Sequence, residues 1–289
     1  AIVSGVMSFL MGLSYIIKKL TGVNPGKVFF KPVLKQANIS TLRVAICGGG
    51  PLASSVFKTY NAMGINFIQG YGLTETSPII ALNPLEKFKI ESVGRSFEPY
   101  AQIKILNPDG DGIGEIAAKG PMVMKGYYKM PEETAKMFTE DGWFKTGDLG
   151  KIDSEYYVTL CGRAKNMIVT SGGKNVYPEE IEDAFQLCDD IQQIVVQGYT
   201  TKEDETSEEI EALIYPSDSA YEALGQKREE DFNSAQINQR IQNEVSKINK
   251  TLQPYARITR ITILENPLEM TTTKKIKRHV ELKEGEQLW

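Results

Sequence analysis

Leu42-Arg43-Val44-Ala45-Ile46-Cys47 is an apolar run with Arg43 as its single charge, and it passes directly into Gly48-Gly49-Gly50-Pro51. A short apolar run that stops at glycine and proline reads as a strand ending in a turn. Ser54 to Met63 then reads as a helix and Asn66 to Gln69 as a second strand, giving the strand-turn-helix-strand unit of a doubly wound α/β sheet. The loop Tyr71 to Thr76 leaves the C-terminal end of that second strand, where open α/β sheets hold their ligands.

That loop lies within Gln69-Gly70-Tyr71-Gly72-Leu73-Thr74-Glu75-Thr76, a dense run of functional chemistry. The Tyr71 ring offers a flat face for a base or acyl group, Thr74 and Thr76 offer hydroxyl donors for phosphate, and Glu75 offers a hard oxygen for Mg²⁺. The same residues also suit an ordinary turn with a capping Thr-x-x-Ser pattern.

At 289 residues, 41% hydrophobic and with a net charge of −4, the chain is large enough for two globular domains. A sequence pI near 5.4 argues against a nucleic-acid binder, which needs a basic face to neutralise phosphates. Cys47, Cys161 and Cys188 are odd in number and lack paired zinc-ligand spacing, so free thiols in a reducing, cytoplasmic compartment are expected. Cys47 and Cys161 sit in apolar runs and read as buried thiols rather than nucleophiles. A hydrolase triad would have to be built on His279, the only histidine, in a basic tail that reads as solvated helix. The apolar run Ile2 to Ile17 is shorter than the ~20 residues that span a bilayer and has no basic region before it. It reads as a core or interfacial helix with exposed hydrophobic surface, and peripheral membrane contact stays open.

Three regions follow one another. Residues 22–85 carry the α/β unit. Residues 90–160 read as short strands, with Ile103 to Leu106 and Glu115 to Ala118 flanking the Asp-Gly hairpin signal of Asn107 to Gly112. Pro131 to Phe138 is a short helix with Pro at its first position, and Tyr156 to Leu160 is a strand. This middle part reads as a small β-barrel-like subdomain. Residues 165–289 read as a separate α+β domain: strand Met167 to Thr170, helix Pro178 to Leu187, strands Ile191 to Gln197 and Ile210 to Tyr215, and a long helix Glu230 to Leu252. Ile237, Ile241, Val245 and Ile248 form its core stripe. The acidic run Lys202 to Glu211 reads as a solvated loop.

Ordered motifs along the chain carry a resemblance. They are Gly48-Gly49-Gly50-Pro51-Leu52, Gly70-Tyr71-Gly72-Leu73-Thr74-Glu75-Thr76-Ser77-Pro78, Gly142-Trp143-Phe144-Lys145-Thr146-Gly147-Asp148-Leu149, Gly162-Arg163-Ala164-Lys165-Asn166-Met167-Ile168, Ser171-Gly172-Gly173-Lys174-Asn175-Val176-Tyr177-Pro178-Glu179-Glu180-Ile181-Glu182 and Thr271-Thr272-Thr273-Lys274-Lys275-Ile276-Lys277-Arg278. From about Leu42 to Arg278 the chain resembles the adenylate-forming superfamily of acyl-CoA synthetases, peptide-synthetase adenylation domains and luciferases, and most closely its long-chain fatty acid CoA ligases.

The resemblance implies that a fatty acid carboxylate attacks the α-phosphate of ATP, pyrophosphate leaves, and the CoA thiol then attacks the acyl-adenylate, with Mg²⁺ assisting. It implies that residues 1–164 belong to the large AMP-binding domain and 165–289 to a C-terminal lid. It places Gly49, Gly50, Pro51 and Tyr71 at the adenine, Gly72 among the cofactor-binding residues, Thr74 at the phosphate and Glu75 at Mg²⁺. It places Asp148 and Arg163 at the ribose and Lys165 at the hinge of the lid. Gly172 and Gly173 fall near the pantetheine path, and Lys275 is the lysine of the adenylation pose. The family commonly has glycine where Lys274 stands, and another small or acidic residue where Gly50 stands.

The family's Ser/Thr/Gly-rich phosphate loop has no counterpart between Ala1 and Gly70, and Ala1 is not an initiator Met. The expectation is therefore the C-terminal half of a longer ligase, inactive by itself and partnered by its N-terminal half. Alternatives are a non-catalytic nucleotide-binding subunit of a split ligase and an adenylation domain of peptide synthesis.

Overall fold

Four short strands build the first sheet of the chain, seen here in a computed structural model that describes residues 2–50, 52–201, 204–272 and 275–278. The chain divides into two units, Ala1–Cys161 and Gly162–Trp289. In the first, helices α1 (Ile2–Thr21), α2 (Gly26–Phe29) and α3 (Lys31–Gln36) precede β1 (Val44–Cys47). Helix α4 (Ser54–Ala62) leads to β2 (Asn66–Gly72), followed by β3 (Ile79–Leu82) and β4 (Arg95–Ser96), in spatial order β1-β2-β3-β4. β1 and β2 are parallel, with Val44 opposite Asn66 and Cys47 opposite Gln69, as a helical crossover requires. β2 outruns its expected end at Gln69 because Gly70 and Tyr71 find antiparallel partners in Leu82 and Ala81.

The second sheet holds β5 (Gln102–Leu106), β6 (Gly114–Lys119), β7 (Phe144–Ile152) and β8 (Val158–Arg163), with the short helix α5 (Pro131–Lys136) between β6 and β7. The hairpin of β5 and β6 closes where Asp109 accepts the Asp111 and Ile113 amides at 2.9 and 3.0 Å. The expected barrel-like closure does not occur, for this sheet is open with β5 and β8 at its edges. Its apolar face is buried instead against the first sheet, in a shared core of Tyr71, Ile80, Ala81, Val93, Ala101, Ile116, Ala118 and Val158.

Helix α1 is largely apolar on both its packed and its exposed face. Met7, Leu10 and Met11 pack on Phe30, Leu34 and Ile65, and the buried Ser14 hydroxyl donates to the Ala62 carbonyl at 2.7 Å. Val6, Phe9, Tyr15, Ile16 and Leu20 stay exposed, Leu20 to 79%.

The second unit opens with the two-residue strands β9 (Ile168–Val169) and β10 (Asn175–Val176), then α6 (Pro178–Asp183). β11 (Ile191–Thr201), β12 (Asp204–Pro216) and β13 (Arg260–Ile263) form its main sheet, with α7 (Asp218–Glu222), α8 (Arg228–Asp231) and α9 (Ala235–Asn249) between β12 and β13. β11 and β12 are antiparallel, and β13 joins β12 in parallel. Helix α6 stops at Asp183, short of the expected Leu187.

Two expectations are corrected here. Residues 204–211 of the acidic run are strand, not loop. Glu211 is buried, accepting the Thr262 hydroxyl at 2.8 Å and the Gln197 amide at 3.2 Å. The helix expected over Glu230 to Leu252 is broken, because Ser234 leaves helical torsions and its hydroxyl accepts the Ile237 amide at 3.3 Å as an N-cap. Ile237, Ile241 and Val245 of α9 are buried in the core, as their spacing requires.

Burial pushes the Glu182 carboxyl up to about 7, Arg278 opposing it, and burial also pushes Asp183 up to about 6. A carboxyl that holds its proton more tightly folded than unfolded adds stability as pH falls from above 7 towards its ordinary 4.5. The urea midpoint of the second unit is therefore expected to be higher at pH 5 than at pH 8, with Glu182→Gln flattening that slope; equal slopes in the two proteins contradict the burial. The exposed face of α1 is expected to bind a hydrophobic dye in the native state, and Phe9→Lys with Leu20→Lys to abolish the signal. A dye-negative native chain runs against it.

Candidate functional site

The second sheet delivers Asp148 through a bulge. Ala117 pairs with Lys145 and Glu115 with Leu149, so Ile116 alone faces residues 146–148. Extra residues on one strand bend it and re-aim its side chains, often beside a site. The bulge is held by the Thr146 hydroxyl, which donates to the Ile116 carbonyl at 2.8 Å and accepts the Asp148 amide at 3.1 Å. Gly147 takes φ +73° and donates its amide to Glu115 at 3.1 Å, a left-handed torsion that glycine adopts without penalty.

The first sheet brings Tyr71 to the same place. Its hydroxyl donates to Asp148 Oδ2 at 2.6 Å, and both residues are less than a tenth exposed. Gly72 follows, where an added Cβ would lie 1.8 Å from the Pro78 carbonyl oxygen, so its glycine is demanded by the protein's own backbone.

Beyond β2 the chain makes a 3₁₀ turn over Thr74–Thr76. Thr76 is buried, accepts the Leu73 amide at 2.9 Å and has its hydroxyl proton shared between the Pro78 and Leu73 carbonyls at 2.6 and 3.0 Å. The expected phosphate-donor role of Thr76 is thus corrected to closing the turn. Thr74 is left exposed and Glu75 half-buried. The Glu75 carbonyl accepts the Met124 amide at 2.7 Å and its carboxylate accepts the Tyr127 hydroxyl at 3.1 Å. Burial, then the Glu75 carboxylate, raises the Tyr127 hydroxyl above its ordinary 10. Tyr127 was not expected, since a tyrosine in Lys125-Gly126-Tyr127-Tyr128 carries no signal that it meets a residue fifty positions earlier.

Gly49 and Gly50 form an exposed turn after β1 with open space where side chains would project, Gly49 at φ +82°. Pro51, Lys274 and His279 lie outside the described residues. Among the described residues no group of three or more His, Cys, Asp or Glu is gathered for a metal ion. One carboxylate, Glu75, fits the way Mg²⁺ is held by one or two carboxylates together with substrate phosphates and water. None of the three cysteines is in a disulfide; Cys47 is half-buried rather than buried, and burial raises the thiols of Cys47 and Cys188, which leaves them poor nucleophiles.

In the second unit, Arg163 ends β8 half-buried, and Lys165 is exposed in the 3₁₀ turn Ala164–Asn166. Gly172 and Gly173 form the exposed turn between β9 and β10, where the Gly173 amide reaches the Thr170 carbonyl at 2.8 Å. Lys275 is exposed, and its carbonyl accepts the Thr271 amide at 2.7 Å.

Residues 7–128 match the family model of the AMP-binding enzyme, and residues 165–286 match that of the AMP-binding enzyme C-terminal domain. The chain belongs to the adenylate-forming AMP-binding enzyme family. It is 33% identical to a probable chloroplastic acyl-activating enzyme 16 of Arabidopsis thaliana, over 84% of this chain and 36% of that protein. It is also 33% identical to the long-chain-fatty-acid–CoA ligase FadD15 of Mycobacterium bovis, over 86% of this chain and 41% of that protein. The o-succinylbenzoate coenzyme A synthetase MenE from Bacillus subtilis, solved in complex with ATP and magnesium ion, superposes with a TM-score of 0.63 at 26% identity, over 82% of this chain and 45% of that one. The chain thus spans less than half the length of each. No described helix is long and apolar enough to cross a membrane.

Removing the Tyr71 hydroxyl leaves a buried carboxylate short of a donor, a loss of about 1–3 kcal/mol. Tyr71→Phe and Asp148→Asn are expected to couple in a double-mutant cycle of urea unfolding by about 0.5–3 kcal/mol. Strict additivity would show that the two side chains do not meet.

Proposed function

We propose that this chain supplies the nucleoside side and the lysine of an ATP-dependent acyl-CoA ligase, acting on a long-chain fatty acid. The observation that carries the reading is the meeting of Tyr71 and Asp148 at the bulge beside the Thr74–Glu75 turn, which gathers a ring, a carboxylate, a hydroxyl and a second carboxylate in one unit. The long-chain acid is supported by the form of the Gly70 to Pro78 motif and by the likeness to the mycobacterial ligase; the succinylbenzoate synthetase shares the carboxylate and not the alkyl chain.

In this reading a carboxylate oxygen attacks the α-phosphorus of ATP and pyrophosphate leaves. The CoA sulfur then attacks the acyl carbonyl and AMP leaves. The protein's contribution is position and charge complementarity, not a covalent intermediate. Tyr71 lies along the adenine with Gly49, Gly50, Pro51 and Gly72 around it. Asp148 accepts from the ribose hydroxyls with Arg163 beside the sugar, and Thr74 donates to a phosphate oxygen. Mg²⁺, when bound at Glu75, neutralises phosphate charge. Lys165 is the hinge of the lid, Gly172 and Gly173 border the pantetheine, and Lys275 brings its ammonium to the charge that develops between carboxylate and α-phosphate. The phosphate loop is supplied outside this sequence, by a longer polypeptide or a partner chain.

Titration calorimetry with a non-hydrolysable acyl-sulfamoyl adenosine tests the nucleoside half of the reading. Hydrogen bonds to a charged group contribute about 1.5–3 kcal/mol, so Asp148→Ala is expected to weaken binding about 10- to 100-fold. Unchanged affinity, or a co-crystal with the ribose away from Asp148, sinks the assignment. ATP–pyrophosphate exchange by this chain alone is expected at background, and full exchange would remove the need for an external phosphate loop.

A further inference from the structure

Glu179 and Glu182 stand one turn apart on α6 and meet three separate segments of the second unit. Arg278 Nη2 lies 2.5 Å from Glu182 Oε2 and 3.3 Å from Glu179 Oε1, and its Nη1 donates to the Val196 carbonyl at 3.2 Å. Glu182 Oε1 accepts the Val196 amide at 2.7 Å, so acid and guanidinium together take both backbone groups of one residue of β11. Glu179 Oε1 also accepts the Asn166 side-chain amide at 2.6 Å, which reaches the turn that carries Lys165. Glu179 Oε2 is buried with no partner among the described residues, and an added Cβ on Gly162 would lie 2.5 Å from it. A charge cluster this enclosed resists rearrangement, because losing one member strands the others away from water.

Arg278 is also three residues from Lys275. Exposure alternates through the segment: Lys275 and Lys277 are exposed, while Ile276 and Arg278 are half-buried. Ile276 packs against the cluster of Val195, Leu213, Tyr215, Leu264 and Leu268. The backbone of Lys275 and Lys277 is held by the Thr271 amide on the Lys275 carbonyl at 2.7 Å, the Lys275 amide on the Thr271 hydroxyl at 3.1 Å and the Lys277 amide on the Glu269 carbonyl at 2.8 Å. An exposed, rotamer-rich lysine is therefore carried on a backbone pinned from beneath.

We propose that Arg278 is the positioning residue for Lys275: held by Glu179 and Glu182, it locks the lysine turn to α6 and, through Glu179 and Asn166, to the segment bearing Lys165. The lysine then moves as a rigid extension of its own hinge. This rests on Lys275 being the adenylating lysine, and it adds to that reading the group that fixes where the ammonium goes.

Amide exchange followed by mass spectrometry on the full chain tests the lock without any nucleotide. Arg278→Met is expected to raise exchange of the Thr271 and Lys277 amides at least about tenfold, equivalent to about 1.4 kcal/mol of local opening. Arg278→Lys, which keeps one ion pair, is expected to stay within about threefold of the parent. Glu179→Gln, the milder change, is expected to loosen residues 162–166 while the β12 amides keep their protection. No change at Thr271 and Lys277 in Arg278→Met, or an equal rise throughout β12, overturns the proposal.

A second readout reports the ammonium itself. An acyl-adenylate offered to the chain can acylate a nearby lysine, the amine nitrogen attacking the acyl carbonyl, AMP leaving and the amine losing a proton. Lys275 is expected to be the labelled residue, with labelling about tenfold slower in Arg278→Met and recovered in Arg278→Lys. Equal labelling in Arg278→Met and the parent overturns the positioning role. Labelling elsewhere in the parent overturns the catalytic reading of Lys275, while exchange still decides the lock.

Discussion

The bond between the Tyr71 hydroxyl and Asp148 is the constraint on which the rest of the first unit depends. A carboxylate buried to this degree is tolerated only when donors replace its lost hydration. That requirement explains features that otherwise look unrelated. β2 must continue past Gln69 to carry Tyr71 into the shared core, Gly72 must lack a side chain for the strand to pass the Pro78 carbonyl, and β7 must bulge at Gly147 to turn Asp148 towards the first sheet.

What could be read in advance was local. Val44–Cys47, the Gly48–Gly50 turn, helix α4 and β2 announce themselves through apolar runs cut by glycine, and Asn107 to Gly112 announces a hairpin through Asp-Gly pairs. The break before α9 was hidden because Glu229 to Phe232 continues a helix-compatible pattern and Ser234 is an unremarkable letter until its hydroxyl caps Ile237. The acidic run misled for a related reason. Composition said solvent, whereas Glu211 is one strand position among others and finds Thr262 and Gln197 across the sheet.

The site divides along the same line. Tyr71, Glu75, Asp148 and Lys275 could be singled out as candidates because they sit in compact motifs, each near a glycine or a turn. Tyr127, Thr146 and Glu115 were not, because their importance lies in what they touch: Glu75, the Asp148 amide and the Gly147 amide respectively. Motif reading singles out chemistry-bearing groups, and it passes over those that hold such groups still.

The second unit shows why the supporting groups matter as much. In the proposed reading Lys275 meets developing charge, which asks for an exposed and mobile tip and leaves its backbone as the place where position can be imposed. Alternation along residues 275–278 meets both demands at once, with Ile276 in an apolar cluster and Arg278 between two acids. Two acids are more than one guanidinium needs for charge balance, and burial already raises Glu182 to about 7 against the pull of Arg278. An arrangement that carries such a desolvation cost is poor as simple stabilisation. It makes sense as a fixed joint, where one guanidinium nitrogen, Nη2, meets two acids of a single helix and the same helix reaches the Asn166 turn.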